Sequence, residues 1–472
     1  MKFQLRPYQR DTLDKLRDCL KNGSKRPILC LPTGAGKTVT FSHIAEATIA
    51  KGGKVIVVCH RRELIEQARK TMRAYGVPIN GVSFHMVQTL ARNMHKIPIG
   101  TNVAICDECH IGNFRAFADK LPESITLIGA TATPLSASKK NPLNKTFDDV
   151  VNPVTIAGLV DDGYLAGPLH IQAKIDESKL EIGKDGEFTS ASLDDTYMGL
   201  FVNIDEAYRQ RRGKTIIFCS SIIVTDAVAE RLCVPSVHSK MSDVERDAIV
   251  NAFKNTPCGT IVNCGILTAG FDDPEIETVI VFRATTSLPL WLQMCGRGSR
   301  VIPGKKSEFL IIDMGNNIKR HGLWHLDRDW KYIFENEGKK KLLKAAPYKN
   351  CINKDCECLI HASARVCEFC GTEQPTNEVK KEAAKTFVEI AYEKQEIPNY
   401  LRKPWADMDA WELLQRAEIG NVKNRKKYSM GWVLAQIKQK PKQQAIEMLK
   451  EVCILKGYEK GWVYFQQKKL GI

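Results

Sequence analysis

The sequence has no long hydrophobic run. Nothing in its 472 residues approaches the roughly 20 consecutive apolar residues that a membrane-spanning helix needs. The first residues, from Met1 to Pro7, lack the apolar centre of a secretory signal. There are 16 cysteines, but those before residue 300 lie mostly in or beside apolar strand-like or helical runs, and not at the spacings of a disulfide framework. These absences argue against a membrane protein or a secreted disulfide scaffold, and they predict reduced thiols in a soluble, cytoplasmic protein.

Acidic residues are in the minority. Lys and Arg total 69 and Asp and Glu total 54, so the formal net charge is +15 and the pI is about 9.0. Such an excess favours a polyanionic partner, and nucleic acid is the natural candidate. The hydrophobic fraction of 43% supports a folded globular protein. The length suggests about three domains.

Residues 32 to 38 read Pro-Thr-Gly-Ala-Gly-Lys-Thr, which is typical of a phosphate-binding loop. An apolar run at 27–31 precedes them and a helical pattern at 39–50 follows, as such a loop requires. The glycines let backbone N–H groups turn toward phosphate oxygens, and the helix adds the positive end of its dipole. Lys37 is expected to reach the β- and γ-phosphates of ATP, and Thr38 to bind Mg²⁺. The loop residues predicted to hold the nucleotide are Thr33, Gly34, Gly36, Lys37 and Thr38.

An acidic pair, Asp107 and Glu108, follows the apolar run at 103–106. Asp107 is placed to hold the same Mg²⁺ ion as the phosphate loop. Glu108 is predicted to orient and deprotonate the attacking water. The sequence therefore predicts an ATP hydrolase.

Apolar strand-like runs alternate with helical patterns over the first 315 residues. They lie at 27–31, 55–59, 103–106 and 126–129, and then at 169–175, 215–219, 259–263, 278–282 and 309–313. This alternation is typical of parallel sheets covered by helices. We predict an α/β fold with two parallel-sheet domains, at 1–160 and 161–346, and a polar hairpin-like segment around Gly183 and Gly186.

The second of these domains has no phosphate loop of its own, so we expect it to act as a partner of the first. It carries the spacing Gln-x-x-Gly-Arg-x-x-Arg at Gln293, Arg297 and Arg300. A guanidinium that reaches the γ-phosphate across a cleft stabilises transition-state charge. Gly270 and Asp272 lie in a glycine turn that is a candidate link between nucleotide and polymer. Each of these segments alone also fits an ordinary loop.

In this order the segments resemble the motifs of superfamily 2 helicases and translocases over residues 3 to 315. The resemblance implies two RecA-like domains. The matching segments begin with Arg6, Tyr8 and Gln9 and the loop at Lys37, and continue at 60–64, 87–90, 107–110, 131–133, 217–220, 268–272 and 293–300.

The resemblance also implies roles for particular residues. Arg6 and Gln9 would recognise adenine, and Arg297 and Arg300 would be the finger arginines. Coupling of hydrolysis to domain movement would fall to His110, Thr131 and Thr133. The phosphodiester backbone of a strand would be held, without reading of its sequence, by Arg61, Thr89, Ser220 and Thr268.

Three residues depart from the pattern of DEAD-box RNA helicases: Cys109 replaces Ala, Thr131 replaces Ser, and Gln293 replaces His. They favour the DNA-processing branch, and the chain resembles phage and prophage helicases of the UvsW-like type, which remodel forks and migrate branched DNA. The segment at 457–462 is similar to tails of that group. The implied partner is forked or branched DNA in the host cytoplasm, with replication or recombination proteins as further candidates; we expect a monomer. No residue by itself distinguishes a 2′-hydroxyl, so RNA stays an alternative.

Five cysteines fall between residues 351 and 370. Cys367 and Cys370 form a clean zinc knuckle. The first pair is irregular, because four residues separate Cys351 from Cys356, and Cys358 or His361 is an alternative ligand. We predict a structural Zn²⁺ site, in a knuckle at 347–375, held by Cys351, Cys356, Cys367 and Cys370. Buried thiols without metal are the alternative interpretation.

The remaining residues, 376–472, are predicted to form a basic helical domain. A pattern at 428–438 recurs at 458–468, and each copy predicts a helix that begins near Gly-Trp. The tryptophans, Trp432 and Trp462, fit either packing in a core or stacking on unpaired bases. Together with the zinc knuckle, this tail is predicted to grip duplex or junction DNA.

The sequence thus predicts an ATP-dependent DNA helicase or branch-migrating translocase that uses ATP, Mg²⁺ and Zn²⁺. One alternative is an RNA helicase. The other is an ATP-gated clamp that holds nucleic acid without unwinding it. Lys37, Asp107, Glu108 and Arg297 argue against the clamp, because a pure clamp needs no hydrolytic base.

Overall fold

The structure is a computed structural model that describes most of the chain up to residue 338 and parts of the remainder. The described residues are 4–111, 114–136, 141–173, 175–268, 270–338, 348–350, 352–353, 359–361, 366, 370–373, 392–395, 410, 413–414, 430–456, 458 and 461–471. They fall into a larger compact unit, Met1–Ile156 with Leu165–Gln395, and a smaller one, Ala157–Tyr164 with Glu396–Ile472. Within the described residues, no helix is both long and apolar enough to cross a membrane.

The first part of the larger unit contains a six-stranded parallel sheet. Its strands are β1 (Pro27–Cys30), β2 (Lys54–Cys59), β3 (Val82–Met86), β4 (Thr101–Asp107), β5 (Thr126–Thr131) and β6 (Asp149–Val151), in the order β3-β2-β4-β5-β1-β6. The helices are α1 (Pro7–Lys21), α2 (Lys37–Ala50), α3 (Arg62–Ala74), α4 (Val87–Leu90) and α5 (Arg115–Ala118); α6 (Ile156–Asp161) follows. The central strands are buried on both faces, which is why they are nearly continuous apolar runs in the sequence.

The second part contains a seven-stranded sheet. Its strands are β7 (Gly167–Ala173), β8 (Lys214–Cys219), β9 (Ser236–Val237), β10 (Thr260–Asn263), β11 (Ile276–Phe282), β12 (Glu308–Asp313) and β15 (Tyr392–Gln395). The order is β15-β7-β12-β11-β8-β10-β9, and every pair is parallel except β15 with β7. The helices are α7 (Ser190–Gly199), α8 (Phe201–Arg209), α9 (Ile222–Leu232), α10 (Asp243–Lys254), α11 (Leu288–Cys295), α12 (Asn317–His321) and α13 (Trp330–Glu335). Two further strands, β13 (Tyr348–Asn350) and β14 (Leu359–His361), pair with each other.

The two parallel sheets predicted from the sequence are therefore present. The polar hairpin is present as well, since Ile182 and Phe188 form an antiparallel bridge. The strands that were not predicted are short or polar: β3 contains Ser83 and His85, β6, β13 and β14 have three residues each, β15 has four and β9 has two. The domain boundaries at 160 and 346 stay predictions.

A return segment, residues 330–338, brings the chain back from the second sheet to the first. Lys331 Nζ lies 3.2 Å from the carboxylate of Asp149. The carboxylate of Glu337 accepts hydrogen bonds from the backbone N–H groups of Ser136 and Leu143, each at 2.6 Å. The segment thus fastens the end of the second domain to the loop that follows β5 in the first.

The carboxy-terminal part of the smaller unit contains, in its described residues, the helices α14 (Met430–Ile437), α15 (Lys442–Leu455) and α16 (Gly461–Leu470). Helices begin near both Gly-Trp pairs, as the repeat predicts. The buried core of this unit consists of Ala410, Leu413, Leu414, Val433, Leu434, Ile437, Ala445, Met448, Leu449 and Val452. Trp462 packs against that core, which favours the packing interpretation for this residue. The side chain of Trp432 lies outside the described part of the chain.

Candidate functional site

The phosphate-binding loop connects β1 to α2 and depends on two glycines. Gly34 and Gly36 have φ angles of 86° and 77°, in the left-handed region that favours glycine. A Cβ atom on Gly36 would lie 2.5 Å from Nε2 of Gln9, and one on Gly34 would lie 3.0 Å from Oγ of Ser299. The loop therefore has the backbone conformation predicted for it, and α2 begins at Lys37 directly beside it.

Lys37, Asp107 and Glu108 form one buried cluster at the carboxyl end of β4, which we call the hydrolytic cluster after the roles predicted for its residues. Lys37 Nζ donates to Oε1 of Glu108 and lies 3.6 Å from Oδ1 of Asp107. Glu108 has a φ of 48°, and its backbone N–H donates to Oδ1 of Asp107 at 2.9 Å. A left-handed conformation at a residue other than glycine costs about 1–3 kcal/mol and is concentrated at functional sites. The structure thus brings together the three residues to which the sequence assigns phosphate binding, metal binding and proton transfer.

Burial and charge set the ionisation of this cluster. Burial raises the pKa of Asp107 to about 6, although Lys37 opposes the rise. Burial also acts to raise the pKa of Glu108, but the charge of Lys37 outweighs it and holds that pKa below its ordinary value. Glu108 is therefore ionised at neutral pH and able to accept a proton.

The site fits Mg²⁺–ATP. Thr38 supplies a hydroxyl at the start of α2, Asp107 supplies a carboxylate, and phosphate oxygens would complete the all-oxygen ligand set that Mg²⁺ prefers. Glu108 Oε2 is buried without a hydrogen-bond partner, so it is available to a reactant. Residues that could hold the metal are Thr38 and Asp107, as the sequence predicts.

A chain of hydrogen bonds connects His110 to the second domain, and Nδ1 of His110 lies 3.3 Å from Oε2 of Glu108 in this cluster. Gln293 Nε2 lies 2.7 Å from Nε2 of His110, whose Nδ1 lies 2.7 Å from Oγ1 of Thr131. The Thr131 hydroxyl donates to the carbonyl of Thr133 and accepts from its N–H, each at 3.1 Å. Burial lowers the pKa of His110 to about 4, so the ring is neutral. Nε2 then accepts from the Gln293 amide, and the Nδ1 hydrogen is donated to Thr131. The predicted coupling residues are therefore in direct contact.

The two predicted finger arginines have different surroundings. Arg297 donates to the carbonyl of Phe271; burial lowers its pKa to about 10, while the charge of Glu108 acts to raise it. Arg300 forms an ion pair with Asp272, and burial likewise lowers its pKa to about 10. Arg297 thus faces the hydrolytic cluster. Arg300 and Asp272 are held by each other, and their roles toward nucleotide stay predictions.

The arginine segment lies directly against the phosphate loop. The Ser299 hydroxyl is 3.5 Å from the carbonyl of Thr33, and a Cβ atom on Gly296 would lie 2.8 Å from Cβ of Thr33. Sequence reasoning did not assign Ser299 or Gly296 individually, although both lie within the motif that contains the arginines.

The residues predicted to recognise adenine contact the back of the same loop. The Tyr8 hydroxyl and Gln9 Nε2 both donate to the carbonyl of Ala35, at 2.8 and 3.1 Å. Gln9 Oε1 accepts from the backbone N–H of Arg6 at 3.0 Å. Tyr8 was noted in the sequence only as part of a motif, and the structure shows that it supports the loop backbone. Recognition of adenine by Arg6 and Gln9 stays a prediction.

The predicted strand contacts differ in accessibility. Arg61, just before α3, and Thr89, in α4, are exposed. The Ser220 hydroxyl is buried without a hydrogen-bond partner, and the Thr268 hydroxyl donates to the carbonyl of Gly265 at 2.8 Å. Gly270 has a φ of 75°, as a glycine turn requires. Binding of a strand by these four side chains stays a prediction.

The predicted zinc ligands Cys351, Cys356 and Cys367, and the alternative ligand Cys358, lie outside the described residues. Cys370 is exposed and donates from Sγ to the Thr372 hydroxyl at 3.1 Å. In the part of the chain that the structure describes, there is no group of three or more His, Cys, Asp or Glu residues that could hold a metal ion. The zinc site therefore stays a prediction.

Two known families match the two parallel-sheet domains. The family described as "Type III restriction enzyme, res subunit" matches residues 2–136, and the "Helicase conserved C-terminal domain" matches residues 199–301. A fragment of a candidate HsdR subunit of a type I restriction enzyme from Vibrio vulnificus YJ016 has a similar fold. Its TM-score is 0.52 at 21% sequence identity, and the match covers 69% of this chain and 66% of that one. The fold is therefore that of two RecA-like domains.

Two relatives are similar in sequence. A 51.5 kDa protein of a Lactococcus phage (isolate 7-9) is 30% identical over 407 residues, which cover 82% of this chain and 88% of the phage protein. The candidate ATP-dependent helicase IRC3 of Saccharomyces cerevisiae is 29% identical over 366 residues. That match covers 66% of this chain, which spans about half of the yeast protein, 51%. With a buried cluster of Lys37, Asp107 and Glu108 in the first domain, a facing arginine in the second, and the restriction-enzyme and helicase families in succession, the chain belongs to superfamily 2 as an ATP-dependent helicase.

Proposed function

We propose that this helicase is a DNA motor that unwinds or branch-migrates forked and junction DNA. The hydrogen-bond chain from Gln293 through His110 to Thr131 supports the motor, because it connects the second domain to the acidic pair that would hydrolyse ATP. The net charge of +15 supports a polyanionic substrate. Similarity to subunits of restriction enzymes, a class that acts on DNA, supports DNA over RNA.

Hydrolysis at this site divides among few residues. Lys37 would bind the β- and γ-phosphates, and Thr38 and Asp107 would hold Mg²⁺, which when bound neutralises charge on the transferred phosphoryl group. Glu108 accepts the proton of the attacking water. Arg297 contributes positive charge from the second domain as the cleft closes.

The coupling of ATP hydrolysis to movement along DNA would follow from the positions of the predicted nucleic-acid contacts in the two domains. Arg61 and Thr89 belong to the first domain, and Ser220 and Thr268 belong to the second. If each pair holds the backbone of one strand, closure and opening of the cleft change the distance between the two grips. Hydrolysis would then move the protein along the strand.

The carboxy-terminal part is proposed to be an accessory grip. It comprises the zinc knuckle, with Cys351, Cys356, Cys367 and Cys370 as ligands, and the basic helical tail. Four thiolates make this zinc structural, because they leave no open position for a reactant. Measurement of metal in the purified protein should find about one Zn²⁺ per chain. Replacing Cys367 and Cys370 by Ser should remove it; an unchanged zinc content would show that these cysteines are not ligands.

Strand displacement tests the function directly. Wild-type protein with ATP should separate the strands of a forked DNA and branch-migrate a four-way junction. The Glu108→Gln variant should do neither, while still binding both DNA forms. Preference for a matched forked RNA would establish the RNA-helicase alternative. Nucleotide-dependent binding with neither hydrolysis nor displacement would establish the clamp.

A further inference from the structure

His60 lies beside Glu108 at the carboxyl edge of the first sheet. Strands β2 and β4 are parallel neighbours, and their register pairs Val58 with Cys106. β2 ends at Cys59 and β4 ends at Asp107, so His60 and Glu108 are the first residues beyond these two neighbouring strand ends. Neighbouring strands are about 4.8 Å apart, which keeps these side chains within reach of a shared molecule.

Three buried polar atoms have no hydrogen-bond partner at this place. They are Nδ1 and Nε2 of His60 and Oε2 of Glu108. Oε2 of Glu108 also lies 3.3 Å from Nδ1 of His110. Most buried polar atoms in proteins are paired, so three unpaired atoms at the ends of two neighbouring strands indicate a missing polar molecule. A water molecule needs two to four polar partners, and this group supplies them.

The electrostatics of His60 determine how it can bind that molecule. Burial lowers its pKa to about 4, Arg61 acts in the same direction, and Glu108 opposes both. The ring is therefore neutral, and it has one nitrogen that accepts and one that donates. Glu108, being ionised, only accepts. A water between them can donate one hydrogen to each residue, which leaves its oxygen lone pairs free.

We propose that His60 is a positioning residue that holds, together with Glu108, the water that attacks the γ-phosphate of ATP. The inference rests on the proposed hydrolytic role of Glu108. The water donates one hydrogen to Glu108 Oε2 and the other to the accepting nitrogen of His60, so that a lone pair is directed at phosphorus. As the new O–P bond forms, the proton moves to Glu108. The bond to the β–γ bridging oxygen breaks, and ADP leaves with its electron pair.

The position of His60 also connects this water to the nucleic acid. The next residue, Arg61, is an exposed, predicted strand contact. The carbonyl of His60 accepts from Nε2 of Gln88, at 3.3 Å, and Gln88 precedes Thr89, a second predicted contact. A strand that shifts either loop would shift the histidine. His60 is therefore expected to act mainly on hydrolysis that nucleic acid stimulates.

Four substitutions test this role. His60→Phe fills the space without an acceptor, and His60→Ala removes the ring. His60→Asn and His60→Gln each place a neutral acceptor near one of the two ring nitrogens. Steady-state ATP hydrolysis at saturating single-stranded DNA should show kcat about tenfold lower for the Phe and Ala variants, the expected effect of one lost hydrogen bond. KM for ATP and Kd for DNA should stay within about twofold. Asn or Gln should restore most of kcat.

A matched control is His85→Phe. His85 lies in β3, is half-buried, and has a partner in the Ser83 hydroxyl at 3.0 Å, away from the hydrolytic cluster. It should hydrolyse ATP at the wild-type rate, and thermal melting should show that all variants fold. If His60→Phe is unfolded, the comparison of Ala with Asn and Gln carries the test.

Two different failures are distinguishable. Wild-type kcat in His60→Phe or His60→Ala, with Glu108→Gln inactive, would overturn the role of His60 and leave the proposed function intact. Equal losses in the Ala, Asn and Gln variants would also overturn it. Absence of hydrolysis in the wild type, or full activity in Glu108→Gln, would instead overturn the proposed function itself.

Discussion

At the scale of single residues, the hydrolytic cluster balances one cation against two carboxylates in a place nearly closed to solvent. Lys37 is 11% exposed, and it touches both Asp107 and Glu108. Because Lys37 holds the pKa of Glu108 below its ordinary value, the base is ionised without help from solvent. Burial raises the pKa of Asp107, whereas Lys37 lowers the pKa of Glu108, so the two carboxylates differ in acidity although they are neighbours.

Glu108→Gln should separate hydrolysis from binding. The amide keeps the volume of the side chain but cannot accept the proton of water, so kcat should fall by about 10² or more. ATP affinity should be retained, and the protein should accumulate on DNA in its ATP-bound form. Single-turnover hydrolysis and DNA binding with ATP measure these effects. Glu123→Gln, on the exposed surface, is the control; normal turnover in Glu108→Gln would refute the site assignment.

His110 should make the stability of the protein depend on pH. Its pKa is about 4 in the folded state and near 6.5 in the unfolded state, so the unfolded state binds more protons between these values. The stabilisation is therefore present above pH 6.5 and is lost as pH falls toward 4, by about 2 kcal/mol at pH 5. Thermal midpoints at pH 7.5 and pH 5 should differ less for His110→Gln than for wild type. An equal difference would mean that His110 is not held neutral.

At the scale of elements, the site forms where strands end. The phosphate loop follows β1, His60 follows β2, Asp107 ends β4, and the Thr131 segment ends β5. Ligands of open parallel sheets bind at this carboxyl edge. The return segment at 330–338 contacts the loop that follows β5. Its Glu337 accepts a hydrogen bond from the backbone N–H of Ser136, three residues beyond Thr133.

Glu337→Ala should loosen the loop that carries the coupling threonines. The change leaves the N–H groups of Ser136 and Leu143 without their charged acceptor, which costs about 1.5–3 kcal/mol for each hydrogen bond. Hydrogen exchange should rise at residues 134–136 and 141–145, and stimulation of ATP hydrolysis by DNA should fall. Glu335→Ala, at the exposed end of α13 two residues before Glu337, is the control. Unchanged exchange would show that the return segment does not hold the loop.

The sequence contained enough to predict the core strands and to single out Lys37, Asp107 and Glu108, which the structure brings together, because both depend on local pattern. Apolar runs identified β1, β2 and β4, and the loop at Lys37 was recognisable from its glycines. Contacts between distant positions left no such signal. Gln293 and His110 meet only because two sheets fold against each other, and Glu337 reaches Ser136 across 201 residues of chain. The edge strand β15 was equally hidden, since its pairing with β7 comes from far along the chain.

At the scale of the whole molecule, we expect the positive charge and the carboxy-terminal helices to affect DNA affinity and not hydrolysis. The smaller unit has its own buried core, so its surface lysines can be changed without touching the hydrolytic cluster. Lys468 and Lys469 are exposed at the end of α16. They are available to phosphates on either strand of a duplex.

Replacing Lys468 and Lys469 by Gln should weaken binding of all DNA forms to a similar extent, because phosphate contacts carry no sequence information. The slope of log K against log salt should fall by about 0.9 for each duplex phosphate contact that is lost. Basal ATP hydrolysis should not change. Lys15→Gln, in an exposed ion pair of α1, is the control. A slope equal to that of the wild type would exclude α16 from the DNA interface.

The rate of ATP hydrolysis at one fixed salt concentration, with single-stranded DNA, duplex, fork, four-way junction and matched RNA in turn, tests whether this protein is a motor for branched DNA. A motor for branched DNA should be stimulated most strongly by the fork and the junction, and this stimulation should disappear in Glu108→Gln. Equal or greater stimulation by RNA would contradict the assignment to DNA while leaving the ATP-dependent motor in place.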